Sequence, residues 1–124
     1  MSRLHIVILF LALALVGCNN TSSPGRVIQQ YLEARIASDV DQIRSLSCAA
    51  LESKAILEAS SFRGRNAELQ GVSCKEAGKE GDYVIVTCEG KIVATYQGEK
   101  SEFPAGNYRT IQEDGEWKMC GEAD

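Results

Sequence analysis

The sequence predicts an α+β domain in which N-terminal helices pack on one face of a curved antiparallel sheet. Three observations predict it. From Pro24 to about Phe62 the apolar residues recur at helical spacing. From about Ala67 they alternate with polar ones, as strands do. Near the end, Asp114-Gly115 separates two alternating runs, and that dipeptide suits a two-residue hairpin turn, which needs positive φ at both central positions. The 124 residues have room for one domain.

Ser23-Pro24 reads as an N-cap with proline at the first helical position. Val27, Ile28, Tyr31, Leu32, Arg35 and Ile36 then follow at helical spacing and give one apolar stripe. Ser38-Asp39 breaks this helix and caps a second, short one carried by Val40, Ile43 and Leu46. Ala49 to Phe62 is rich in alanine, leucine and glutamate and predicts a third helix, stopped by Gly64.

The expected strands are Leu69–Lys75, Asp82–Tyr96, Glu102–Gln112 and a last one around Trp117-Lys118-Met119. In the second, Val84, Val86 and Cys88 face one way and Tyr83, Ile85 and Thr87 the other. Glu89-Gly90 interrupts it and suggests a bulge. Pro104-Ala105-Gly106 gives the third strand an irregular edge.

Residues 1–23 carry a different message. Arg3 supplies one positive charge, and Ile6 to Val16 is an unbroken apolar run of 11 residues. That is shorter than the ~20 residues a membrane span needs, and it fits a secretory signal. The run ends in Leu15-Val16-Gly17-Cys18. This tetrapeptide resembles a bacterial lipobox, and the leader resembles a lipoprotein signal peptide. The resemblance implies cleavage of residues 1–17, lipid attachment at Cys18, and a short tether over 18–23. Such a tether reaches roughly 20 Å when extended, so the domain over 24–124 stays close to a bilayer. The protein is then anchored in a membrane by lipid, without spanning it. Its place is the outer face of the cell membrane or, where two membranes exist, the outer membrane, because Asn19 does not match the aspartate of an inner-membrane retention signal. Removing residues 1–17 leaves 107 residues with net charge −5 and takes away His5, the one histidine.

The opening Val27-Ile28-Gln29-Gln30-Tyr31-Leu32 helix, the Ser38-Asp39 break and the closing Glu113-Asp114-Gly115-Glu116-Trp117-Lys118-Met119 hairpin are similar to those of the nuclear transport factor two-like (cystatin-like) cone. The resemblance implies a cone-like α+β domain. It implies no activity, because that fold hosts enzymes, binders and scaffolds alike.

Beyond Cys18 the chain has Cys48, Cys74, Cys88 and Cys120. In an exported domain four cysteines read as two disulfides, with three connectivities possible. Cys74 and Cys88 flank a turn around Gly78 to Gly81, so they can sit opposite one another on neighbouring strands, which leaves Cys48 for Cys120. A zinc or redox site is disfavoured, since no C-x-x-C pair occurs and no histidine follows residue 5.

Composition narrows the chemistry further. The 13 basic and 17 acidic side chains leave a net charge of −4, against a nucleic-acid partner. A mature chain without histidine cannot run a Ser-His-Asp or Cys-His mechanism. No phosphate-binding glycine loop and no calcium-loop run of aspartates occur, so no cofactor or metal is expected. Arg63-Gly64-Arg65 reads as positive charge favoured at a helix C-terminus. The leading expectation is a non-enzymatic binding or scaffold module with an envelope protein partner. The alternative is a small apolar ligand, or less readily isomerase-like chemistry, in a cone lined by Tyr31, Tyr96, Tyr108, Trp117 and Met119. No catalytic base can be assigned among the carboxylates.

Overall fold

The structure, a computed structural model, describes residues 22–124. The leader, Cys18 and most of the tether lie outside the described residues. Helix α1 (Pro24–Ile36) begins as expected: Ser23 Oγ accepts the backbone N–H of Arg26, with proline at the first position. Ile36 of its stripe is partly covered, while Val27, Ile28, Tyr31 and Leu32 are buried, Ile28 and Leu32 fully. Each such side chain contributes about 1.5–3 kcal/mol on leaving water. Ser38 takes positive φ, and Asp39 then caps α2 (Val40–Leu46) by accepting the N–H of Gln42 at 3.1 Å.

The third helix differs from expectation. Ala49–Lys54 is 3₁₀, and only Ala55–Ser60 is α-helical (α3). The reason is local. Cys48, at the start, is tied to the last strand by a disulfide to Cys120 and by its N–H to the Met119 carbonyl. The 3₁₀ segment fully buries none of its residues and packs only Leu51 partly against the core, so little packed face holds it in α geometry. Gly64, with φ +71, lies four residues beyond the end of α3 and follows a run of turns.

The sheet is an antiparallel meander of β1 (Glu68–Glu80), β2 (Tyr83–Tyr96), β3 (Glu99–Glu113) and β4 (Glu116–Glu122), in that spatial order. Strands β1 and β3 run longer than the sequence suggested. Val84, Val86 and Cys88 are buried on β2, while Tyr83 and Ile85 are half-covered and Thr87 is exposed, as the alternation predicts. Asp114 and Gly115 both take positive φ, as their hairpin requires.

The interruption at Glu89-Gly90 is a pair of bulges at one level. Gly71-Val72 face Gly90 across the β1–β2 ladder, and Glu89-Gly90 face Ala105 across the β2–β3 ladder. Bulged strands bend and twist more strongly, so the sheet is bent where they coincide. Pro104 sits in this bend. Strand β4 pairs only with Tyr108–Glu113, so Pro104 has a strand partner on the β2 side alone, an edge position of the kind that tolerates proline.

The helices cover one face of the sheet. The core joins Val27, Ile28, Tyr31 and Leu32 of α1 and Ile43 of α2 to Val86, Ile92, Tyr108 and Met119 of the strands. Two disulfides close it. Cys74 and Cys88 are direct partners in the β1–β2 ladder, and Cys48–Cys120 joins the helical layer to β4. No described helix is long and apolar enough to cross a membrane.

Candidate functional site

Four elements meet where α1 and α3 pack together beside β3 and β4. Helix α1 supplies Tyr31 and Arg35 one turn apart, α3 supplies Glu58, β3 supplies Tyr108 and β4 supplies Met119. Tyr31, Glu58, Tyr108 and Met119 border a cleft of about 290 Å³ that also touches Ile43, Leu51, Lys54 and Glu122. The rings of Tyr31 and Tyr108 meet edge to face at 6.1 Å.

The polar atoms here largely satisfy one another. The Tyr31 hydroxyl donates to Glu58 Oε2 at 3.1 Å, and the same oxygen lies 3.4 Å from Arg35 Nε. Arg35 Nη2 donates to Ser61 Oγ at 3.4 Å, and the guanidinium rests 5.1 Å from the centre of the Phe62 ring. The Tyr108 hydroxyl donates to the Ala105 carbonyl at 2.7 Å. Burial, reinforced by the negative charge of Glu58, holds the Tyr31 phenol well above its ordinary range. Burial does the same to Tyr108, against a smaller lowering influence from Arg35. Both phenols are therefore neutral donors with their protons already committed. One atom is left over: Arg35 Nε is buried with no hydrogen-bond partner among the described residues, because its approach to Glu58 is close but misaligned.

Of the five pocket residues expected from sequence, Tyr31, Tyr108 and Met119 come together and two do not. Trp117 lies two residues before Met119 on β4, beside the first turn of α1. Its backbone N–H donates to Ser22 Oγ, and it lines a separate groove of about 350 Å³ with Arg26, Gln30 and Lys118. Tyr96 is the last residue of β2, beyond the helical cover, and is 60% exposed beneath the Arg65 guanidinium. Alternation along a strand assigned these two to a face but not to a height on it. No group of three or more potential metal ligands exists among the described residues.

A third groove, of about 620 Å³, opens between the α3–β1 connection and the bulged part of β3. Its walls include Phe62, Phe103 and Pro104, and its polar groups include Arg35, Arg65 and Asn107. Phe62 and Phe103 meet edge to face at 5.8 Å. Sequence reasoning missed this groove. Arg65 was visible only as charge after a helix, and nothing in the chain order of Arg65, Tyr96 and Phe103 announces that they converge.

The chain is similar in fold to the solution structure of a SEC-C motif containing protein from Rhodopseudomonas palustris, at 15% identity and a TM-score of 0.54, covering 82% of this chain and 79% of that one. At this identity the likeness carries the fold alone. No family model matches the chain, and no curated protein matches it.

Proposed function

We propose that the chain is a lipid-anchored envelope lipoprotein, held to the membrane through Cys18, whose domain works by non-covalent binding to an envelope protein partner rather than by catalysis. The observation that carries the non-catalytic part is the pairing of the two phenols of the helix–sheet cleft, Tyr31 with Glu58 and Tyr108 with the Ala105 carbonyl. Neither phenol therefore has a free proton to offer a substrate there. The bulged, bent sheet with helices on one face supports a cone-like, nuclear transport factor two-like domain. The leader and lipobox support the anchor.

Two experiments test this. Cells fed a radiolabelled fatty acid should label the protein, and Cys18→Ser should abolish the label; persistent labelling defeats the anchor. Crosslinking in intact cells should recover a heteromeric adduct; recovery of monomer alone defeats the partner. A second reading, capture of a small ligand, is favoured by the 620 Å³ groove, whose size falls in the range of small-molecule sites.

A further inference from the structure

We propose that the groove between the α3–β1 connection and β3 binds a carboxylate carried on a small apolar body, with Arg65 gripping the carboxylate. This deepens the small-ligand reading and rests on it; anchoring at Cys18 stands or falls separately.

The groove pairs two chemistries. Phe62, Phe103, Pro104 and Ile92 give it apolar walls, and the half-exposed Phe103 ring leaves one of these walls in contact with water. An apolar body inserted there would cover that ring. The polar groups are cationic or neutral donors, apart from Glu122. In a chain of net charge −4, that concentration on one apolar groove is local and selective.

Arg65 is built for the task. Its guanidinium lies 5.9 Å from the centre of the Tyr96 ring and makes no ion pair with a carboxylate among the described residues. A ring against one face restrains the plane and leaves the N–H edges free, and those edges match a carboxylate bidentately. The backbone of Arg65 is fixed independently, since its N–H donates to Phe62 and its carbonyl accepts from Thr95. Arg35 stands at the back of the same groove, over Phe62, with the buried Nε that lacks an acceptor. Its charge is partly met by Glu58, so it favours the anion through its field while Arg65 makes the contact.

The test is equilibrium dialysis of the protein purified from cells expressing the full chain, in nanodiscs where it carries lipid and in buffer otherwise, with the matching protein-free sample as the blank. The probes are 3-phenylpropionate and its neutral counterpart 3-phenylpropan-1-ol. The acid should bind at least about 10-fold more tightly than the alcohol, as expected for a charge-assisted hydrogen-bonded pair. R65Q should weaken the acid about 10-fold and leave the alcohol unchanged. R26Q, at an exposed arginine outside the groove, should leave both unchanged. Equal binding of acid and alcohol overturns the carboxylate assignment and leaves small-ligand capture standing. An unchanged R65Q, or an equal loss in R26Q, overturns the site. Absence of binding by either probe overturns both the proposal and the small-ligand reading.

Discussion

Gly25 of α1 rests against the carbonyl oxygen of Cys74 on β1: a Cβ at Gly25 would stand 2.7 Å from that oxygen. The helix is thus pressed onto the sheet at the strand residue that carries the Cys74–Cys88 bridge. Backbone cannot yield as a side-chain tip can. Gly25→Ala should therefore destabilise by about 1–3 kcal/mol despite alanine's better helix propensity, because overpacking outweighs it. Urea denaturation checks this. A stability equal to or above wild type would show that α1 has room to shift.

The two disulfides should not be equivalent. Cys48–Cys120 spans a sequence separation of 72, and Cys74–Cys88 one of 14. In the chain-entropy treatment these loops constrain the unfolded state by about 4.4 and about 3 kcal/mol respectively. The double variant Cys48→Ala with Cys120→Ala should therefore melt below the double variant Cys74→Ala with Cys88→Ala. The first pair also joins the helical layer to β4, whereas the second staples two strands already paired in register. Thermal unfolding compares them directly, and the reverse order would sink the loop-length account.

Gln97 and Gly98 form the two-residue turn between β2 and β3, with φ +50 and +81. Glutamine is a poor occupant of a left-handed position, and asparagine a good one. Gln97→Asn should raise stability by about 0.5 kcal/mol, measured as a higher urea midpoint at constant slope. A lower midpoint would mean that Gln97 is held by something other than its backbone angle.

This turn also shows where sequence stops being informative. Asp114-Gly115 was legible because both residues suit positive φ, whereas Gln97-Gly98 offers half of that signal. Ser23, Ser38 and Asp39 were legible because a cap depends on its own side chain and backbone within one turn. The Cys74–Cys88 pairing was legible because a hairpin puts near neighbours in sequence opposite one another. The site was harder. Tyr31 and Tyr108 could be assigned to the interior by alternation and helical period. Glu58, however, looked like an ordinary solvated helix former until α3 was laid across α1. Arg65, Tyr96 and Phe103 converge only through the register of β2 with β3 and the path of the α3–β1 connection. Tertiary placement of that kind leaves no local period to read.

Tyr31 and Tyr108 should make the fold sensitive to alkali. Each native phenol titrates above its ordinary value near 10, chiefly because burial disfavours the phenolate. In the unfolded chain both lose their protons near pH 10. Above that pH the unfolded state binds fewer protons than the native state, so stability falls as pH rises. Below about pH 10 the two states are protonated alike, and this contribution is fully present. One such phenol adds a slope of up to about 1.4 kcal/mol per pH unit in that window. Tyr31→Phe should remove its share of the slope. At neutral pH it should cost only about 0.5–1.5 kcal/mol for the lost hydrogen bond to Glu58, which keeps Arg35 beside it. Tyr108→Phe should flatten the slope in the same direction. Its neutral-pH cost comes from the Ala105 carbonyl, which loses its hydroxyl partner. Urea unfolding of the three proteins between about pH 8 and pH 11 distinguishes the outcomes. Curves for wild type and Tyr31→Phe that stay parallel above pH 10 would show that the Tyr31 phenol ionises without opening the core.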